Sequence, residues 1–392
     1  MARQNHTTRR APSQQRLSIT RYLAFFSLVI FLVVFTFKRA PASSSSKITA
    51  PYKRTKNHGQ GGLNFHTTVA NGLGKDSWEK GKTCSPSTLA SNSRAFKPKT
   101  SNCPTRTFMS TLIDSLDPRK PITHVFVGCN KGDDMVLSAR MFTGDERFSI
   151  TKYSEAVRNN LGGSKQKVVT GPCDTQEITD EMLPVPLHPG ESREFVSYCF
   201  EPMLGNVEIL ERSLTEVNLR SDFTVVRAAV SSRSGKVVFK EGIPGQENIG
   251  IGGRVNDNLD NNNDNEVDVI TLDEYLLPKG HATIEYLSID TEGNDARVLY
   301  GSVKMLATTH VRYLEFEYNS VGQWLNSDLQ DVVDLLDNFG FDCYWLGNKG
   351  ELWRLTGCWA DNYYRRVWSN VGCVNRQEAV LWEEMERVSE NR

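Results

Sequence analysis

Ile284-Glu285-Tyr286-Leu287-Ser288-Ile289-Asp290-Thr291-Glu292-Gly293-Asn294-Asp295 reads as an apolar strand that stops on two carboxylates and a glycine, then opens into a helix. In an open α/β sheet, ligands bind at the carboxyl ends of the strands. Asp290 and Glu292 therefore stand where chemistry is done, which points to an enzyme rather than a passive binding module.

Working outward, strands and helices alternate. A helical stretch around Phe108–Leu116 precedes a strand over Thr123–Val127, the turn Gly128-Cys129-Asn130-Lys131-Gly132 and a helix over Asp133–Phe142. After an irregular insertion that includes Leu183-Pro184-Val185-Pro186-Leu187-His188-Pro189, the pattern resumes. Phe195–Phe200 is a strand ending in Glu201-Pro202, followed by a helix through Val217 and a strand over Phe223–Val230. Lys236–Lys240 is a hairpin element, and Gly242–Gly253 with Asn256–Asn265 reads as a mobile loop. Downstream of the quoted stretch come a strand over Val311–Tyr318, a helix over Asp328–Phe339, and an antiparallel pair, Phe341–Leu346 with Glu351–Leu355. This alternation predicts a doubly wound, mostly parallel α/β sheet of Rossmann-like type.

The N-terminus is different. Residues 1–21 form a short basic tail, and 22–38 read as a transmembrane signal-anchor, apolar from Tyr22 to Phe37 apart from Ser27 and Thr36. That length is short against the roughly 20 residues of a typical span. A cleaved signal peptide ending near Ala40-Pro41-Ala42-Ser43 is the alternative. Residues 39–105, rich in Ser, Lys, Gly, Thr and Asn, are expected to be a flexible stem, and 106–392 the folded domain. A cytosolic tail and a lumenal body, in the Golgi or endoplasmic reticulum, follow from that layout. The net charge of -1 gives no footprint for nucleic acid. The eight cysteines fit a disulfide-permitting compartment, and no C-x-x-C pair suggests zinc. Cys84 and Cys103 either staple the stem or stay unpaired.

Glycines at 128 and 132, at a strand-to-helix junction, let a backbone approach a ligand and leave helix N–H groups available. Glu201, at the end of the next strand, is placed to accept hydrogen bonds from ribose hydroxyls. A glycine turn with a ribose acid and no long phosphate loop suits a nucleoside cofactor, with S-adenosylmethionine the candidate.

Together, Val127–Gly132, Phe200-Glu201-Pro202, Ala228–Ser231 with Gly235, Thr271–Leu276, Ile289–Gly293, Leu299-Tyr300-Gly301 and Leu314–Glu317 resemble the FkbM-type methyltransferase family, over about Val125 to Val374. The resemblance implies a class I S-adenosylmethionine fold and methyl transfer, most often to a hydroxyl oxygen. It implies that Gly128, Asn130 and Gly132 wrap the methionine end, that Glu201 holds the ribose, and that Asp290 faces the reactive end with Glu292 beside it. The chain departs from the family at two positions. Phe126 stands where the family usually has an acid, and Cys129 where it usually has alanine.

A base that takes the proton of an acceptor hydroxyl assists such a transfer. Asp290 is the first choice and Glu317 the second, while Glu292 reads equally well as a cap on the following helix. His124, expected at the sheet margin, and His188, in a loop, are not catalytic candidates. Trp345, Trp353, Trp359 and Trp368 are read as core packing rather than a sugar platform. The Asn258–Asn265 run lacks the alternating acids of a calcium loop, so no metal is expected. The acceptor is a small molecule or a glycan hydroxyl. Two alternatives stay open: a Golgi glycosyltransferase whose Asp290-Thr291-Glu292 holds a metal and a sugar nucleotide, and a non-catalytic scaffold of the methyltransferase fold.

Overall fold

The computed structural model describes residues 83–97, 101–162, 193–246, 249–251 and 264–390. They all fall within the second of two compact units, Gln60–Arg392. The basic tail, the expected anchor, most of the stem, His188 and the Asn258–Asn263 run lie outside them. Among the described residues, no helix is long and apolar enough to cross a membrane.

In chain order the elements are α1 (Pro86–Ala95), α2 (Met109–Asp114), β1 (Ile122–Val127), α3 (Asp133–Thr143), α4 (Ile150–Asn160), β2 (Phe195–Phe200), α5 (Leu204–Glu216), β3 (Phe223–Val226), β4 (Ala229–Val230) and β5 (Gly235–Lys240). Then follow β6 (Asp264–Ile270), α6 (Leu272–Leu276), β7 (Thr283–Ile289), α7 (Asp295–Tyr300), α8 (Val303–Thr308), β8 (His310–Tyr318), α9 (Leu329–Asn338), β9 (Phe341–Leu346), β10 (Leu352–Arg354), β11 (Ser369–Asn375) and α10 (Ala379–Glu390). The main sheet runs β10-β9-β11-β8-β7-β1-β2-β3. Its contiguous strands β3, β2, β1, β7 and β8 are all parallel. β11 is antiparallel to both β8 and β9, and β10 to β9. A small second sheet has the order β4-β6-β5.

Burial on both faces explains the near-continuous apolar runs of the parallel strands. Along β1, Val125 and Val127 join the core with Leu287, Leu314 and α7–α9, while Phe126 joins the opposite core with Met135, Phe142 and Leu210. The doubly wound expectation holds.

Several expectations are corrected. Phe223–Val230 is not one strand: the chain turns at Arg227, with Ala228 N donating to Val226 O, and carries β4 into the small sheet. β11 and α10 were not anticipated. β11 contains Gly372, whose missing side chain leaves room for Tyr313 Oη and for Leu346 Cδ2, which a Cβ would approach to 2.8 Å. The folded unit also begins before Arg106. α1 has Ser85 as its N-cap, accepting from Thr88 N at 3.1 Å. Phe96 is buried and stacks on Trp345 with ring centroids 5.2 Å apart. Cys84 pairs with Cys358 and Cys103 is also disulfide-bonded, so neither is an unpaired thiol, and Cys84 staples the end of the expected stem to the folded domain. His124 is on the central strand, not at the margin. Its ring lies edge-on to Phe142 at 4.4 Å, and burial pushes its pKa down to about 3, so it stays neutral. Trp345 and Trp353 are core residues, as expected, while Trp359 and Trp368 are half-buried.

Candidate active site

The strand register assembles the site. Val127 is paired with Phe200 on one side and Ile289 on the other, and Ile289 with Phe316. The next residue on each strand is therefore Glu201, Gly128, Asp290 and Glu317, in one row along the carboxyl edge. Backbone bonds continue the ladder into that row: Gly128 N donates to Phe200 O at 2.9 Å and Asp290 N to Val127 O at 2.8 Å.

Gly128 has φ +89° and lies so close to the carbonyl of Asp290 that no side chain fits. Asn130 follows at φ 48°, and Gly132 at φ 82° is the N-cap of α3. A Cβ on Gly132 would meet Leu210 Cδ2 at 2.5 Å and Tyr153 Oη at 2.6 Å, so helix packing explains this glycine. Tyr153 Oη also donates to Lys131 O at 2.8 Å, pinning the loop from behind. The first turn of α3 carries Asp133 and Asp134. Their charge opposes the helix dipole's attraction for an anion, which disfavours a phosphate at this end.

Glu201 is buried and ties two loops together. Its Oε2 accepts from Asn130 N at 2.9 Å, while Oε1 accepts from Met203 N at 2.9 Å and Asn206 Nδ2 at 3.3 Å. Burial raises its pKa to about 7, against the opposing effect of those three donors. Oε2 takes one bond and keeps a second accepting position.

The segment expected to be a mobile loop is docked across this edge where it is described. Asn206 Oδ1 accepts from Gly245 N at 2.7 Å, Asn130 Nδ2 donates to Gln246 O at 3.3 Å, and Glu241 Oε1 accepts from Leu204 N at 3.0 Å. At the far side, Gly250 packs against Thr291 O and Glu292. The strap thus touches three of the four loops that border the row, those after β1, β2 and β7. Beneath it, Asn130 Oδ1 and Thr291 Oγ1 are buried without a hydrogen-bond partner.

At the β7–β8 end, acids crowd together. Asp290 is exposed, and Glu292 holds a left-handed φ of 53°. The turn is secured by Asp295, which is fully buried. Its Oδ1 accepts from Thr291 N at 3.4 Å and its Oδ2 from Gly293 N at 3.2 Å. The N-cap of α7 is Asn294, which makes no side-chain cap hydrogen bond, and Asp295 secures the turn before the helix instead of capping it. Burial, reinforced by the charge of Asp290, raises the Asp295 pKa to about 7. Glu317 is buried beside them, accepting from Asn319 Nδ2 at 2.7 Å. Burial, then the charges of Asp290, Glu292 and Asp295, hold its pKa well above the ordinary carboxylate range. Glu317 is thereby biased toward its protonated form, while Asp290, at the same edge, is exposed. Among the described residues, no group of three or more His, Cys, Asp or Glu is arranged to hold a metal ion.

The structure thus brings Gly128, Asn130, Glu201, Asp290, Glu292 and Glu317 to one edge, and turns Gly132 toward the helices. Asp295, Asn206, Asn319 and the strap were not singled out from sequence. The polar run Gly293-Asn294-Asp295 at a helix start was the available signal for the first of these.

Residues 191–343 match the family model for the methyltransferase FkbM domain. No curated protein matches the chain in sequence. Among solved structures, methyltransferase FkbM from Methylobacillus flagellatus KT is similar at 11% identity and a TM-score of 0.36, over 80% of this chain and 58% of that one. This chain thus spans less than two thirds of that relative. Precorrin-6y C5,15-methyltransferase from Geobacter metallireducens GS-15 is similar at 7% identity and a TM-score of 0.28, over 68% of this chain and 85% of that one. Aeropyrum pernix fibrillarin, solved in complex with S-adenosyl-L-methionine, is similar at 8% identity and a TM-score of 0.28, over 72% and 86%.

Proposed function

We propose that the chain, whose residues 191–343 match the family model for the methyltransferase FkbM domain, is an S-adenosylmethionine-dependent methyltransferase acting on a hydroxyl. The observation that carries the reading is the single row of Glu201, Gly128, Asp290 and Glu317, roofed by the strap, with two buried unpartnered acceptors beneath it. The donors and acceptors present fit a nucleoside sulfonium. Glu201 Oε2 has capacity for a ribose hydroxyl, Asn130 Oδ1 for an amine, and the acids at the β7–β8 end favour a positive centre over a phosphate. When bound, the cofactor supplies a methyl group on a positively charged sulfur. Gly128 lets the backbone approach it, and the strap limits access of water. Asp290 would receive the acceptor's hydroxyl proton as the methyl group leaves sulfur, its C–S bond breaking, for the acceptor oxygen, so that no charge is stranded on oxygen. Glu317, biased toward its protonated form by burial and the neighbouring acids, adds less negative charge beside Asp290.

The acceptor is a hydroxyl of a glycan or another secretory-pathway molecule, and the catalytic body is lumenal, held by residues 22–38 as an anchor. Every described cysteine is disulfide-bonded, which supports an oxidising compartment. The test has two parts. Full-length protein should bind S-adenosylhomocysteine in the absence of metal, by isothermal titration. It should also transfer labelled methyl from the cofactor into a cell extract, with Glu201→Ala and Asp290→Asn both losing label. Equal labelling by all three proteins removes the site assignment. Binding that needs manganese and a sugar nucleotide, or no binding of any kind, replaces the reading with a glycosyltransferase or a scaffold.

A further inference from the structure

Cys129 and Cys199 form a disulfide with Cα atoms 5.8 Å apart, and they sit at an unusual place for one. Cys129 lies between Gly128, which abuts Asp290, and Asn130, whose N–H donates to Glu201. Cys199 is fully buried on β2, two residues before Glu201. The bond therefore ties together the two segments that would hold the ribose and the methionine end. Phe126, which occupies the position of the family's usual acid, points into the opposite core against Tyr286 and offers the loop no polar anchor. We infer that the Cys129–Cys199 disulfide is a positioning element of the cofactor site, fixing the Gly128–Gly132 loop in the form that presents Asn130 to Glu201.

The physical basis is preorganisation. Gly128, Asn130 and Gly132 all have left-handed φ values, so the free loop has many competing conformations. A covalent tie between its second residue and β2 removes most of them before the ligand arrives, which lowers the ordering cost of binding. Forming the bond removes two protons and two electrons from the two thiols. They pass to a disulfide oxidant of the secretory compartment, which is reduced to two thiols. The site is thus complete only after oxidative folding.

This inference rests on the proposed cofactor, and the test separates the two. S-adenosylhomocysteine affinity is measured by isothermal titration on full-length wild type, Cys129→Ala/Cys199→Ala, the volume-conserving Cys129→Ala/Cys199→Val, and Cys343→Ala/Cys373→Ala. The last removes the disulfide that links β9 to β11 and so reports a general loss of stability. Thermal unfolding and circular dichroism accompany each titration. Expected is at least a roughly tenfold loss of affinity in the first two variants. The third should keep wild-type affinity, even where its unfolding temperature falls by a similar amount. Wild-type affinity in a folded Cys129 variant, or equal losses in all three, overturns the positioning role. Absence of binding by the wild type overturns the cofactor reading itself, and this inference with it.

Discussion

The two ends of the sheet edge are built on opposite principles. At the β1–β2 end a single buried carboxylate, Glu201, is surrounded by three donors from Asn130, Met203 and Asn206, and the loops around it are locked by glycine contacts, a disulfide and the strap. At the β7–β8 end Asp290, Glu292, Asp295 and Glu317 repel one another, and two of them are driven toward the protonated form. Burial raises the Glu201 pKa to about 7 as well, but there three donors are the main opposition to the shift, whereas at the β7–β8 end the charges of neighbouring acids reinforce it, a pattern associated with proton transfer. On the proposed function, one end holds the ligand and the other reacts with it.

The largest effect that would break this division is chemical. Asp290→Asn should lower labelled-methyl transfer by roughly 10²- to 10⁴-fold, the usual worth of a positioned base. S-adenosylhomocysteine affinity should stay within about threefold of wild type, measured by titration. If binding and transfer fall together, the two ends are not separate. The converse test is Gly128→Ala. The new methyl group would run into the Asp290 carbonyl at a φ of +89°, so the cofactor loop must move. Affinity should fall by about 100-fold, with a lower unfolding temperature; unchanged affinity would mean that the loop is not part of the cofactor site.

The two ends were unequally legible in the sequence. Gly128, Glu201, Asp290 and Glu317 could be found because each follows an apolar run, and strands buried on both faces advertise their ends. The partners of those residues could not. Asp295 looks like an ordinary first-turn acid until the fold buries it under Thr291 and Gly293. The strap from Glu241 to Ile251 has the Gly-rich composition of a free loop, and only contacts with Asn130, Asn206 and Thr291, distant in sequence, show that it is docked. β11 hides because Gly372 answers to Tyr313 on a neighbouring strand rather than to local propensity. α1 hides in a Ser-rich stretch because its anchors, Cys358, Trp345 and Asn362, are more than 200 residues away.

The acidic end also makes a prediction about stability. Asp295 titrates at about 7 in the folded protein and at an ordinary 3.8 when unfolded. Between those values the folded state binds more protons than the unfolded state, so stability falls as pH rises through the window and levels off above it. Asp295→Asn removes this contribution but also one acceptor for the turn. The variant should gain on wild type between pH 5 and pH 8 by roughly 2–3 kcal/mol, the loss that wild type alone suffers as Asp295 ionises. Thermal unfolding at the two pH values decides it. Parallel curves for wild type and variant would show that the crowding of acids is relieved in some other way.

The smallest effect concerns how the two ends communicate. The strap touches the binding end through Gln246 and Gly245 and the reactive end through Gly250 alone, among the described contacts. A Cβ on Gly250 would press on Thr291 O and come within 2.8 Å of Glu292 Cβ, whereas one on Gly235 meets nothing within 4 Å. Gly250→Ala should therefore lift the strap from the Thr291–Glu292 turn without unfolding the sheet. A three- to fivefold loss of S-adenosylhomocysteine affinity, roughly 1 kcal/mol, is expected, with Gly235→Ala unchanged. Because the strap's other described contacts fall on the binding end and on the small sheet, a loss of transfer rate at saturating cofactor in Gly250→Ala would mean that it also sets the geometry of Asp290. A loss confined to affinity would mean that it acts as a roof and nothing more.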